Sequence, residues 1–288
     1  MFEMKLEFFH DDRNFPFFIQ YGYHSGDFFK HVHQDFTELV IVMDGTAAHV
    51  VGNEAYTVSK GDVFVIGPNT VHEFKNSHDF IPCNIMFRPE FFFEDMYQLK
   101  ESPGFHALFF LEPYISREYQ FKNRLKLSLE DYQKILLLMD KLMKEYQERQ
   151  DGWKEMIHSC FMEVVVLLSR RYHMPEKTEH PGALLVANAG SYIEKNFKKD
   201  ITVGEMAEAA CLSERHFSRI FKETYKMTPL QYVIQLRILY AASLLKNTGG
   251  TITEIALISG FSDNNYFARC FRRYFQMSPG EYRRSHLD

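Results

Sequence analysis

The stretch GFSDNNYFARCFRRYFQMSPGEYR, Gly260 to Arg283, decides how the C-terminal third of this chain folds, because its pattern occurs a second time upstream. ITVGEMAEAACLSERHFSRIFKETYKMTPLQYV starts at Ile201, and TITEIALISGFSDNNYFARCFRRYFQMSPGEYR starts at Thr251. Ala207 matches Ala256 and Ser213 matches Ser262 at an offset of 49. Past one inserted residue, Phe217/Phe267, Arg219/Arg269, Phe221/Phe271, Lys222/Arg272, Met227/Met277, Pro229/Pro279 and Tyr232/Tyr282 match at 50. A repeat on this scale marks one supersecondary unit used twice.

Each copy reads as a short helix with an inward Ala, a tight turn, a Ser or Asp cap, and a second helix with aromatics four residues apart. That is a helix-turn-helix. The second helices are expected over Glu214 to Tyr225 behind Ser213, and up to about Phe275 behind Ser262 or Asp263. Phe217, Ile220 and Phe221 form one buried stripe, and Phe267, Phe271 and Phe275 the other. The opposite faces present Arg215, Ser218, Arg219 and Lys222 in the first copy, and Asn264, Asn265, Arg269, Arg272 and Arg273 in the second. Arg can bridge guanine O6 and N7, and Asn can bridge adenine N6 and N7, so these faces suit base reading in a major groove. The remaining cations suit phosphates. Pro229 to Lys246 reads as one long helix holding the two readers about 34 Å apart, one turn of DNA. The competing reading is a plain helical bundle with a solvated basic face.

Working outward, Leu185 to Asp288 carries 14 Lys+Arg against 10 Asp+Glu, a net of +4, which leaves -9 of the whole-chain -5 for residues 1 to 184. The asymmetry fits nucleic-acid contact in the basic part. With 288 residues and 45% hydrophobic content, two domains with real cores are expected. No apolar run approaches the roughly 18 residues of a membrane span. MFEMKLEFFHDD lacks the pattern of a secretory signal. Cys83, Cys160, Cys211 and Cys270 are scattered without a CxxC, which points to reduced thiols in a cytoplasm.

Met4 to about Phe91 reads as short β runs punctuated by Asp44-Gly45, Gly52-Asn53, Gly61-Asp62 and Gly67-Pro68, the texture of a sandwich or barrel. Two helices follow. The first, Ser128 to Gln150, carries a stripe of Leu129, Tyr132, Leu136, Met139, Met143 and Tyr146; the second runs from about Lys154 to Tyr172. Their apolar surface suits either their own barrel or a second copy of the chain. Met174 to Gly182 is rich in Pro and charge and reads as a linker. The expected fold class is therefore α+β in two domains. Residues 1–173 form a β-barrel followed by helices, residues 174–184 a linker, and residues 185–288 an all-α tandem helix-turn-helix domain.

Residues 185 to 288, with the closing pattern Gly260 to Arg283, resemble the DNA-binding domain of the AraC family of bacterial transcription regulators. The resemblance implies that Arg215, Ser218, Arg219, Asn264, Asn265 and Arg269 face bases. It further implies a homodimer on double-stranded promoter DNA that acts on RNA polymerase, as an activator, without a membrane.

In the N-terminal half, GDFFKHVHQDFTELVIVMDG resembles the first signature of the cupin barrel, with His31, His33, Glu38 and Gly45 at the matching spacing. The second signature is partial: Gly61 to Asn76 supplies Pro68 and His72, with the histidine one residue early. Three imidazoles and a carboxylate form a sound divalent-metal set. The favoured expectation is no cofactor, with His31, His33, Glu38, His72 and Arg88 lining an effector pocket beside aromatics such as Phe17, Phe18, Tyr21, Tyr23, Phe36 and Phe74. The alternative is a divalent metal on His31, His33, Glu38 and His72, in a cupin enzyme or metal sensor tethered to DNA. The stretch from His33 to Phe74 is similar to that of the rhamnose-operon activators of the same family, which implies a sugar effector such as L-rhamnose. No nucleotide fingerprint or activated nucleophile speaks for an enzyme.

Overall fold

The computed structural model describes residues 2–10, 12, 14–52, 54–93, 97–111, 125–172 and 181–285. The chain divides into two compact units, Met1–Leu184 and Leu185–Asp288. Of the expected linker, residues 174–180 lie outside the described residues. Its last four, 181–184, are instead the first turn of a helix over Pro181–Asn196, where Pro stands at a helix start rather than in a connector.

The first unit is built on eight strands: β1 (Phe2–Met4), β2 (Phe17–Tyr21), β3 (His24–His33), β4 (Thr37–Val51), β5 (Glu54–Ser59), β6 (Asp62–Ile66), β7 (Val71–Phe87) and β8 (Leu125–Lys126). They form one hydrogen-bonded sheet in the order β1-β3-β7-β4-β6-β8, with β2 on β7 and β5 on β4. β4 and β7 are long enough to serve two sets of neighbours. The first half of β4 pairs with β6 and the second half with β5, while β7 pairs first with β3 and then with β2. The sheet therefore wraps around one interior, where Val40, Val42, Ala47, Val58, Phe64, Ile66, Phe74 and Phe80 meet. This is the expected cupin-like architecture.

Irregularities in the β4–β7 register between Val42 and Ala48 control which residues enter that interior. Before them the even-numbered Glu38, Val40 and Val42 point inward; after them the odd-numbered Ala47, His49 and Val51 take over. One extra residue in a strand reverses the alternation of its faces. Gly45 is required at this bend, since its φ is +72 and a Cβ there would stand 2.0 Å from the Asp79 carbonyl oxygen.

Three short helices, α1 (Pro89–Phe93), α2 (Tyr97–Lys100) and α3 (Pro103–His106), follow the sheet, and a π-helical turn over Ala107–Leu111 continues α3. Two long ones, α4 (Leu129–Glu148) and α5 (Trp153–Arg171), cover the outer face of the sheet. Ser128 caps α4, its hydroxyl accepting from the Asp131 N–H. The buried stripe of α4 differs from the expected one. It is Tyr132, Ile135, Met139 and Leu142, with Leu129 exposed, because the strand surface receives the helix along that line. Tyr132 donates to the Met43 carbonyl, Met139 meets Cys83 at 3.7 Å, and Phe161 of α5 stacks edge-on against Phe17 and Phe87.

The second unit is all helical: α6 (Pro181–Asn196), α7 (Val203–Ala209), α8 (Glu214–Tyr225), α9 (Pro229–Asn247), α10 (Ile252–Ile258), α11 (Asn264–Phe275) and α12 (Pro279–Arg284). The repeat extends to capping boxes that the motif comparison did not include. Thr202 with Glu205 and Thr251 with Glu254 open the first helix of each copy; Thr228 with Gln231 and Ser278 with Glu281 open the helix after each reader. Asp263, not Ser262, caps α11 through the Tyr266 N–H, while the Ser213 side chain makes no cap bond to α8. Phe217, Ile220, Phe221, Phe267 and Phe271 are buried as expected, whereas Phe275 is half-buried at the helix end. No described helix is long and apolar enough to cross a membrane.

Candidate functional site

On α8 the spacing i, i+3, i+4, i+7 brings Arg215, Ser218, Arg219 and Lys222 to the face opposite Phe217 and Phe221. Arg215, Arg219 and Lys222 are exposed and Ser218 is half-buried. On α11, Asn264, Asn265, Arg269, Arg272 and Arg273 are all exposed. Four of these side chains are already engaged, Arg269 over the Tyr266 ring at 5.9 Å and three through polar partners. Arg219 Nη1 donates to both Glu223 carboxylate oxygens at 3.1 Å, Arg272 lies 3.8 Å from Glu281, and Asn264 donates to the Thr253 hydroxyl at 3.3 Å. Exposed pairs of this kind are worth at most about 1 kcal/mol, so a phosphate or base edge can displace them. Between α9 and α11 lies a groove of about 620 Å³ lined by Lys226, Gln231, Gln235, Arg269, Arg273 and Tyr274 among others, without a carboxylate.

The second cluster is hidden. β3 and β7 pair so that His31 lies opposite His72, and β4 contributes Glu38 from one half and His49 from the other. His31, His33 and His72 each offer a ligand atom within 4.8 Å of the others. His33 Nε2 is 3.2 Å from His72 Nε2 and 3.6 Å from Glu38 Oε2. His72 Nδ1 is 3.2 Å from His49 Nε2, and His49 Nδ1 bonds the Tyr56 hydroxyl. His31 Nδ1 donates to the Phe29 carbonyl at 3.0 Å. Phe36 stacks on His33 at 4.4 Å and Phe74 on His49 at 4.6 Å.

All five polar side chains are no more than 3% exposed. Burial holds His33 and His72 well below the ordinary imidazole range, with neighbouring imidazoles adding to the effect, and burial pushes Glu38 up to about 8. Burial therefore favours the uncharged forms of His33, His72 and Glu38, and the interior offers hydrogen-bond donors and acceptors flanked by aromatic faces.

Not every expected pocket residue joins this cluster. Arg88 is held by Asp35, through an ion pair and a bond to its carbonyl, and lines a separate cavity of about 260 Å³ with Leu6, Glu7, His10, Asp12 and Pro16. Phe17 faces the helices, Phe18 packs on Phe9, Tyr21 donates to Asp140, and Tyr23 is 67% exposed. Of the six aromatics, only Phe36 and Phe74 stack on cluster imidazoles. Conversely, His49 is a member that the sequence reading missed. Counting by twos from Glu38 puts it on the outer face, and only the irregular register beyond Val42 turns it inward. The signal available was Asp44-Gly45, a turn pair inside a strand.

Two family models match the chain: an AraC-like ligand binding domain over residues 16–165 and a helix-turn-helix domain over residues 206–285. Among curated proteins, the chain is similar to the HTH-type transcriptional activator RhaS of Enterobacter sp. (strain 638), 28% identical over 255 residues covering 88% of this chain and 87% of that one. It is also similar to RhaS of Escherichia coli O6:H1, 27% identical over 266 residues, 90% and 88% of the two chains. Among solved structures, the C-terminal domain of the two-component response regulator yesN from Fusobacterium nucleatum is 32% identical and covers 33% of this chain and 93% of that one, with a TM-score of 0.32.

Proposed function

The chain belongs to the AraC family of DNA-binding transcription regulators, and on that premise we propose that it is an activator whose DNA affinity is set by a sugar bound inside the barrel. The observation that carries this reading is the hydrogen-bonded chain of buried His33, His72 and His49 ending on the half-buried Tyr56, with buried Glu38 beside it. An uncharged polyhydroxylated ligand matches such a lining, because it offers hydrogen bonds without importing a charge that the site would have to desolvate. L-rhamnose is the first candidate, on the likeness to RhaS.

Base reading falls to Arg215, Ser218, Arg219, Asn264, Asn265 and Arg269, and phosphate neutralisation to Lys222, Arg272 and Arg273. The protein works as a cytoplasmic homodimer on promoter DNA and contacts RNA polymerase. Leu129 and Leu137, both more than 70% exposed on α4, support pairing of two copies. For the sugar to act, it must bind the DNA-competent and DNA-incompetent states with different affinity, and the coupling equals that difference.

Fluorescence anisotropy on DNA from upstream of the gene and its neighbours tests this. With chelator-treated protein, a sugar is expected to shift the affinity by roughly 5- to 150-fold. Glu38→Gln, which keeps shape and neutrality, should blunt the shift while leaving affinity in the absence of sugar intact. An affinity indifferent to the whole sugar panel would remove the sensory reading.

A further inference from the structure

Each helix-turn-helix copy serves as a control for the other, because matching positions sit on matching helices. Glu223 of α8 corresponds to Arg273 of α11, a reversal of charge at the offset of 50. In the first copy the Glu223 carboxylate accepts from Arg219. In the second, the corresponding Arg269 shares its helix face with Arg273, one turn on, so two cations stand where an ion pair stood.

Both arginines line the groove between α9 and α11. Lys226, whose Nζ donates to the Glu223 carbonyl at 2.6 Å, joins them from the end of α8. None of the residues lining this cavity of about 620 Å³ is acidic. Three cations without a carboxylate favour an anion there.

The remaining walls say what kind of anion. Met227, Ile234 and Ile238 line the groove from one side, and the rings of Tyr266 and Tyr274 from the other. Gln235 reaches across from α9 to donate to the Tyr274 hydroxyl at 3.3 Å, which ties the two walls together. A phosphodiester backbone would leave the apolar walls against water. An aromatic body bearing one carboxylate or sulfonate satisfies both kinds of wall, with its rings on the tyrosines and its head group on a guanidinium fork. The volume falls within the roughly 300–1,000 Å³ of small-molecule sites.

We propose that this groove is a second effector site, that it takes an aromatic organic monoanion, and that its occupant competes with DNA by engaging Arg269. The proposal goes beyond the barrel sensor: it requires α11 to read DNA and nothing of the sugar. The barrel ligand acts by shifting conformational states, whereas this one occupies a base-reading side chain.

The probe is anilinonaphthalene sulfonate, an aryl monoanion, with uncharged phenylnaphthylamine as the control that keeps the rings and lacks the sulfonate. Cys270 lines the groove, and Cys211, exposed in the other copy, does not. Alkylation of the full chain by N-ethylmaleimide, read by peptide mass spectrometry, therefore locates the probe without any substitution. The sulfonate should slow modification of Cys270 several-fold and leave Cys211 unchanged, and the uncharged control at equal concentration should protect neither. At about ten times its Kd, the sulfonate should weaken binding to promoter DNA about tenfold. Arg273→Glu, which gives the second copy the carboxylate of the first, should raise the Kd for Cys270 protection about tenfold, while Arg273→Lys keeps most of the affinity. Should the Glu variant fail to fold, the footprint and the competition on the parent chain decide alone. Absence of protection at Cys270, equal protection by the uncharged control, or DNA affinity untouched with the groove filled overturns the inference. Protection and competition in a chain deaf to every sugar uphold it and remove only the barrel sensor.

Discussion

The barrel keeps its chemistry inside and the helical unit wears its chemistry outside. His31, His33, Glu38, His49 and His72 are at most 3% exposed, whereas Arg215, Arg219, Lys222, Asn264, Asn265, Arg269, Arg272 and Arg273 all stand in solvent. On the proposed function, the contrast follows from what each unit recognises. A small neutral ligand is discriminated where water is excluded and every unmade hydrogen bond is costly. A polyanion is found at long range by charges that stay hydrated until contact. The physical signature is that burial displaces the ionisation of His33, His72 and Glu38 far from ordinary values.

Acid should therefore break the barrel first, and this is the largest effect expected. Besides the cluster, His106 is fully buried, bonded to the Lys100 carbonyl, and pushed down to about 3 by burial. Below about 6.5 the unfolded chain binds more protons at these histidines than the folded chain does, down to about 3 for His106, so stability present above pH 6.5 is lost as pH falls. His106 alone would remove about 4 kcal/mol by pH 3. Glu38 opposes this between 8 and about 4.5, since its raised value favours folding as it is protonated, so the loss shows most clearly below that window. Trp153, the single tryptophan, lies in α5 and reports on the barrel unit, while far-UV circular dichroism also sees the helical unit, whose one described histidine, His216, is exposed. The tryptophan transition is expected at the higher pH. Coincident transitions would erase the contrast.

The same contrast decides what the sequence discloses. An exposed reading face is whatever remains after the apolar stripe is subtracted, so Phe217, Phe221, Phe267 and Phe271 were enough to locate Arg215, Arg219, Arg269 and the two asparagines. The two-fold repeat then reinforced each position. A buried polar site offers no such subtraction. His31, His33, Glu38 and His72 were legible from their spacing, but His49 depended on an irregularity in a fifteen-residue strand, and Arg88 was drawn away by Asp35, a partner distant in sequence. The stripe of α4 was misplaced for a related reason, since helical periodicity alone cannot say which of two adjacent lines meets the sheet.

A smaller effect separates the two helix-turn-helix copies. In the turn of the second copy, Gly260 has φ +92, and a Cβ there would lie 2.8 Å from the Lys198 carbonyl oxygen and 2.9 Å from Arg237 Nε. Arg237 cannot easily retreat, because it donates to the Phe197 and Lys199 carbonyls. Gly260→Ala should cost about 3 kcal/mol in chemical denaturation, combining left-handed strain with this clash. A cost below about 1 kcal/mol would mean that the 197–199 loop yields.

Within the outer faces, Arg269 and Arg272 should behave differently although they share a helix. Arg269→Ala is expected to cost about 1 to 3 kcal/mol on the cognate site and to relax one base position. Arg272→Ala should weaken all sequences alike and lower the salt slope by about one. Equal behaviour in a panel of operator variants would show that α11 reads only backbone.

The smallest effect tests how faithfully one copy repeats the other. Cys211 occupies the turn position that corresponds to Gly260, with φ +50, an exposed side chain, and its N–H donating to the Glu208 carbonyl at 2.8 Å. A non-glycine residue in the left-handed region costs about 1 to 2 kcal/mol. Replacement by glycine relieves that strain but loosens the unfolded chain by about 0.4 to 1 kcal/mol. Cys211→Gly should then raise stability by under about 1 kcal/mol, in the direction opposite to Gly260→Ala. A loss on this substitution would show that the turn of the first copy draws stability from the cysteine side chain, and that the two turns match in backbone but not in what holds them.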